Sequence, residues 1–212
     1  MANLRAAQKE MTRKLLLSTA LELFRTKGYA ATTVDDIAST AGTTRVTFYA
    51  YFRSRSDLAR ALLDELNVLL ERTSAPPRGS TGVALVDAVR GGTHAGMSAW
   101  LRERSAIWER IRPHLNAVTE AAAVDPDLRG AVDGWFEEVI ADIKDGLDQA
   151  GRFDPAVRHA RAVLAFAQLD YLGQRWVEGR WGVDRQTVVA VLADSWFTLL
   201  GNRPPDPESP GV

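Results

Sequence analysis

Arg45, in the segment TTRVTFYAYF, carries a guanidinium that can bond guanine O6 and N7 together, worth about 1–3 kcal/mol of discrimination between bases, or can clamp a phosphate instead. Thr43, Thr44 and Thr47 stand around it, and the last two offer hydroxyls to either target. Thr33, just ahead of a helical segment, presents a hydroxyl and backbone N–H groups to an anion, and Ser54 and Arg55 repeat that arrangement further on. Tyr49 and Tyr51 place phenol hydroxyls at the height of a phosphate backbone, while Val46 can touch a thymine methyl or merely narrow the fit. Tyr49 also reads as a packed core aromatic, and for Phe48 and Phe52, four apart, core packing is the preferred reading. The chemistry of this segment is recognition of phosphates and base edges.

Such residues need short helices to present them. The spacing predicts a first helix from about Ala6 to Lys27, with Leu16, Ala20, Leu23 and Phe24 on one face. Thr33 caps a short helix carrying Val34, Ile37 and Ala38, with a capping box that looks imperfect because Asp36 stands where glutamate is usual. Ala41 to Thr43, with Gly42 between them, separate this helix from a second short one over TTRVTFYAYF. Two short helices joined by a glycine-containing turn of about three or four residues make a helix-turn-helix, whose second helix enters the major groove while its surroundings contact phosphates. Ser54 then caps a long fourth helix, with Leu58, Leu62, Leu66 and Leu69 as its seam, reaching about Arg72.

The string from Thr32 to Leu58 resembles the TetR (tetracycline-repressor) family. Thr33, Val34, Ile37, Ala38, Ala41, Gly42, Thr47, Tyr49, Phe52, Ser54 and Leu58 match framework positions of its signature. Thr44 stands where serine is usual, Val46 where glycine is frequent, Tyr51 where histidine is common and Arg55 where lysine is usual, so the operator sequence is not transferable from relatives. The periodicity is helical wherever it occurs, which reads as all-α, and the tail (202–212) offers no core-forming residues and reads as flexible; the resemblance implies an N-terminal three-helix helix-turn-helix DNA-binding domain (1–53) and a larger C-terminal helical ligand-binding and dimerisation domain (54–201). It implies a homodimeric, ligand-responsive transcriptional regulator, most often a repressor, that binds a palindromic double-stranded DNA operator and leaves it when a small-molecule effector shifts the fourth helix.

The remaining segments read as helices at about 83–102, 104–122, 127–150, 155–179 and 185–201, with a loop over 74–82 and a proline-rich tail from Asn202. Resemblance implies a homodimer through the last two long helices. Ala156, Ala160, Val163, Leu164, Ala167 and Tyr171 line one of them and Val188, Val191, Leu192, Ser195, Trp196 and Leu199 the other, stripes that a monomer core would also explain. All six tryptophans lie between 100 and 196. Met97, Trp100, Leu101, Trp108, Trp135, Val139, Phe166 and Tyr171 are the candidate walls of an effector pocket, with His94, Arg104, His114 and Asp170 as polar contacts. Aromatic walls favour an apolar or aromatic effector.

The net charge of −1 conceals a division: residues 1–60 hold ten Lys/Arg and five Asp/Glu, a net +5, and the remainder is net −6. A basic head facing phosphate and an acidic body follow from it. The three histidines lack the i, i+4 metal spacing, and no HExxH, nucleophile elbow or phosphate loop is present, so enzyme readings fail and neither metal nor cofactor is expected. Zero cysteines exclude disulfides and thiolate sites. The longest apolar runs are six residues, as at Val188 to Ala193, far short of the roughly 20 residues that span a bilayer, which predicts a cytoplasmic protein without a membrane partner. The alternative is a small-molecule-binding helical protein that keeps the head without sequence-specific DNA binding.

Overall fold

A computed structural model describes residues 2–72 and 82–202, with side chains from residue 4 onward. Apart from Gly82 and Asn202, the expected loop at 74–82 and the expected tail fall outside the described residues. Within them the fold is all-α, with ten helices and no strand: α1 Ala2–Lys27, α2 Val34–Thr40, α3 Arg45–Tyr51, α4 Arg55–Leu69, α5 Val83–Gly91, α6 His94–Ser105, α7 Trp108–Val124, α8 Pro126–Ala150, α9 Pro155–Arg175 and α10 Arg185–Leu200. None of the described helices is long and apolar enough to cross a membrane.

Contacts divide the chain into two units, and α7 and α8 are each shared between them. The first, Met1–Glu71 with Ile111–Trp135, contains α1 to α4. The grouping keeps α4 with the leading helices, whereas the boundary at residue 53 expected from sequence is a division by role. Leu16, Leu17, Ala20 and Phe24 of α1, Ile37 of α2, Phe48 of α3 and Leu58, Leu62 and Leu66 of α4 form its core, each at most 3% exposed.

Asp36 completes a full capping box, where the sequence pointed to an imperfect one. Its N–H donates to Thr33 Oγ1 at 3.1 Å, and its carboxylate accepts from Thr33 N–H at 2.8 Å. The shorter side chain suffices because Asp36 Oδ2 also accepts from the Thr33 hydroxyl at 2.8 Å. The Thr33 N–H, then its hydroxyl, then Lys27 at 3.1 Å lower the Asp36 pKa from its ordinary 3.8 to about 2.

The second unit, Arg72–Arg110 with Phe136–Val212, centres on α6 and α9 packed against α10. Trp196 is fully buried, stacks on Trp100 at 5.5 Å and 20°, and donates from Nε1 to the Ala165 carbonyl at 3.2 Å. The helix expected over 83–102 is two helices. Gly92 adopts φ +62, a left-handed conformation that ends α5, and Thr93 caps α6 by accepting from Gly96 N–H at 3.1 Å. A Cβ at Gly92 would also strike the Arg152 guanidinium, which donates to the carbonyls of Val89 and Arg90 at the end of α5. The helix expected over 155–179 stops at Arg175, with Trp176, 1% exposed, as its C-cap.

Two outcomes test these assignments. Trp196→Ala should cost about 3–5 kcal/mol in chemical denaturation, through the buried volume and the stack it removes. Asp36→Asn should lower the melting temperature at neutral pH. That deficit should begin to narrow below about pH 4 and close towards pH 2, because a carboxylate with a lowered pKa stabilises the fold only while it is ionised there.

Candidate nucleic-acid interface

Phe48 and Phe52 are 0% and 3% exposed, with rings 5.7 Å apart, and they anchor α3 to the head. The exposed residues of α3 are Arg45, Val46, Tyr49 and Ala50, with Val46 and Tyr49 81% and 45% exposed. The exposure of Tyr49 decides against its reading as a packed core aromatic. Thr44 starts the helix, accepting from Thr47 N–H at 3.1 Å, and the two hydroxyls lie 3.0 Å apart. The turn before it depends on Gly42, whose φ of +65 suits glycine although a Cβ would meet nothing within 4 Å.

Arg45 is held without being buried. Its Nη1 donates to Asp35 Oδ2 at 3.1 Å, its Nη2 to the Tyr49 hydroxyl at 3.4 Å, and its guanidinium carbon lies 5.6 Å from the Tyr49 ring centroid. The Arg45 and Asp35 side chains are 59% and 65% exposed, so the pair is solvent-screened and weak enough to exchange for a phosphate or a guanine. Asp35 is thus the residue that aims the guanidinium across from α2. Ten positions separate the two, and no helical periodicity could have linked them.

The other expected DNA contacts divide by how far their polar atoms are already engaged. Thr33 gives its hydroxyl proton to Asp36, whose carboxylate occupies the place an anion would take at α2. Ser54 is exposed and caps α4 through Asp57 N–H at 3.1 Å. Arg55 turns inward. Its guanidinium donates to the carbonyls of Tyr29, at 2.9 Å, and Thr32, and lies 4.1 Å from the Tyr29 ring centroid, locking α4 to the segment between α1 and α2. Thr43 and Tyr51 are half-buried. Arg45, Val46 and Tyr49 of α3 and its cap Thr44 remain exposed, with Thr47 half-buried beside them.

The residues expected to line an effector pocket are distributed over both units. Trp135 belongs to the first unit, where its Nε1 donates to Asn67 Oδ1 at 2.7 Å. His114 lies in that unit too, with Nε2 3.5 Å from Glu65 Oε2. In the second unit, Met97, Leu101 and Trp108 are core, and Trp100 is half-buried on Trp196. His94 lies at the surface, with Nε2 2.8 Å from Asp194 Oδ1, and Arg104 donates to Glu103 at 3.2 Å. Phe166 meets Phe136 at 5.6 Å, and Val139 is half-buried. Asp170 accepts from Gln174 Nε2 at 2.8 Å, and burial pushes its carboxyl pKa up. Tyr171 is exposed and stacks on Trp181 at 6.5 Å and 7°. A polar depression lined by Glu109, Glu178, Asp184, Arg185 and Gln186 holds none of the expected residues. Among the described residues, no cluster of His, Cys, Asp and Glu could hold a metal ion.

Residues 16–62 match the family described as bacterial regulatory proteins, tetR family. The chain is 35% identical over 95 residues to the HTH-type transcriptional regulator SrpR of Pseudomonas putida, 42% of this chain and 45% of SrpR. It is 34% identical over 95 residues to TtgW, an uncharacterized HTH-type transcriptional regulator of Pseudomonas putida, covering 42% of this chain and 71% of TtgW. The aligned region thus spans less than half the length of SrpR. Both relatives are transcriptional regulators, not enzymes. In fold, the chain is similar to NalD, the secondary repressor of the MexAB-OprM multidrug efflux pump in Pseudomonas aeruginosa. The TM-score is 0.66 at 19% identity, over 92% of this chain and 98% of NalD. With a relative matched over more than two thirds of its length and a helix-turn-helix whose reading face is free, the chain belongs to the TetR family of bacterial regulatory proteins.

Proposed function

We propose that this protein is a homodimeric, ligand-responsive repressor that binds a palindromic operator and is released from it by a small apolar or aromatic effector. The observation that carries the reading is the exposed row Arg45, Val46 and Tyr49 on a helix pinned by Phe48 and Phe52, in a segment of net positive charge. Arg45 reads a base or grips a phosphate, Val46 touches a thymine methyl, and the hydroxyls of Thr44, Thr47 and Tyr49 fix the register. Thr33 and Ser54 support that face as helix caps and Arg55 through its hold on the carbonyls of Tyr29 and Thr32, with Thr43 and Tyr51 half-buried next to the two ends of α3. A cytoplasmic location goes with this role.

An apolar row on α9 supports the dimer. Val163, Leu164 and Tyr171 are 37%, 55% and 60% exposed, Ala160 and Ala167 lie exposed on the same row, and Val191 of α10 is 64% exposed. Leu192 and Trp196 of α10 are spent on the core of their own unit, which leaves α9 as the main contributor. Effector binding within the second unit would act through its unequal affinity for two head spacings, typically about 1–3 kcal/mol of coupling.

Selection of purified protein against random duplexes at near-physiological salt should enrich an inverted repeat with half-sites about 34–36 Å apart, or a multiple of that. Arg45→Ala should then flatten preference at one position of each half-site by about 1–3 kcal/mol. No enrichment by folded protein would overturn the reading in favour of a sequence-blind binder. In sedimentation equilibrium, Leu164→Glu should shift the protein towards monomer, and an unchanged dimer would remove α9 from the interface.

A further inference from the structure

The leading turns of α1 have no packing role. Every residue from Leu4 to Met11 is exposed, and the first fully buried side chain of the helix is Leu16. The family match also begins at residue 16. A helical segment without tertiary contacts is marginal in water, however favourable its residues. This one is cationic: Arg5, Lys9, Arg13 and Lys14 face a single acid, Glu10, between residues 2 and 15. Lys14 lies 4.0 Å from Glu10, whereas Arg5 and Lys9 pair with no acid among the described residues.

At about 100° per residue, Arg5, Lys9 and Arg13 fall within about 80° of arc, and that arc also contains Leu16 and Ala20, both fully buried. The face that packs on the head therefore continues, past its last core residue, as a row of cations. Arg13 marks the change. Its guanidinium carbon lies 5.6 Å from the centroid of the Phe52 ring, and Phe52 is the C-cap of α3. The row thus starts beside the end of the base-reading helix and runs about 12 Å along α1 to Arg5.

We infer that Arg5 and Lys9 form a second phosphate-binding surface, which grips the DNA backbone flanking the half-site read by α3. The inference rests on the DNA-binding reading above. Phosphates recur about every 3.4 Å of axis along one strand, so a 12 Å row spans roughly three to four nucleotides. The contact supplies affinity and salt dependence but no base preference. Leu4, Met11 and Leu15 form an exposed apolar row on the other side of the helix, as a membrane-surface helix would have. Lys14 borders that row, but Arg5, Lys9 and Arg13 extend the face that packs on the head and begin beside Phe52, which favours DNA.

The test compares wild type with the double variant Arg5→Ala, Lys9→Ala on the selected operator carrying native-length flanks, across about 50 to 200 mM salt. Two lost contacts per subunit should reduce the slope of log affinity against log salt by about 0.9 each, so the affinity deficit per subunit should grow about tenfold from the high to the low end of that range. Base preference should not change, and the charge-preserving pair Arg5→Lys, Lys9→Arg should restore the slope. Alanine is the best helix former, and far-UV circular dichroism checks that α1 persists. An unchanged slope and affinity in the alanine variant would overturn the inference while leaving the regulator reading intact. Wild-type protein that enriches no duplex would instead sink that reading itself. Unaltered operator binding combined with lost binding to phosphatidylserine vesicles would assign the row to a membrane and likewise overturn it.

Discussion

Asp125, the residue between α7 and α8, accepts hydrogen bonds from the Tyr29 hydroxyl at 2.9 Å, from the Ser56 hydroxyl and from the Asp127 N–H at 3.1 Å. The Ser56 bond above all holds its carboxyl below the usual pKa, so these are bonds to a charged acceptor and stronger than neutral ones. Tyr29 is fully buried, and its N–H donates to Glu120 Oε1 at 2.7 Å. Arg55, the neighbour of Ser56, grips the carbonyls around Tyr29. The first turn of α4, the segment between α1 and α2, and the α7–α8 junction are therefore one hydrogen-bonded assembly. A shift of Asp125 beyond the tolerance of these bonds must either break them or carry Ser56 and Tyr29 with it. The pose of the whole reading head depends on that carboxylate.

The helices of the head were legible because local rules and tertiary packing agree there. Thr33, Thr44 and Ser54 act as the caps their residue types announce, and Phe48 and Phe52 are buried as their spacing demands. What escaped were relations between distant positions. Asp35 steering Arg45, and Arg55 folding back onto Tyr29, depend on how α2, α3 and α4 cross, which no single-helix periodicity encodes. A short acid in a capping box was undervalued for a smaller reason: its reach is completed by the partner hydroxyl.

The second unit was legible only as helices. An aromatic at helical spacing looks the same whether it lines a cavity or fills a core, and here Trp108, Trp176 and Trp196 fill it. Trp135, a candidate pocket wall from sequence together with Trp100 and Trp108, belongs to the first unit, where it donates to Asn67. The break after Gly91 was visible in principle, since a second glycine followed by threonine reads as a stop and a new cap, but the surrounding apolar periodicity masked it. The apolar stripe of α10, which suits a dimer interface or a monomer core alike from sequence, divides between Trp196, buried inward, and Val191, left open.

The arrangement of indoles has an optical consequence. Trp100 and Trp196 stack at 5.5 Å and 20°, close enough for their excited states to couple, while Trp176 lies within 6 Å of both Trp108 and Trp181. The first ninety-nine residues contain no tryptophan at all. Indole emission, unlike absorbance to which Tyr49 and Tyr51 of α3 contribute, therefore originates entirely outside the DNA-reading helices. A change in that signal when DNA is added would mean that the disturbance had travelled beyond the reading face, so the chain carries an intrinsic reporter of long-range communication.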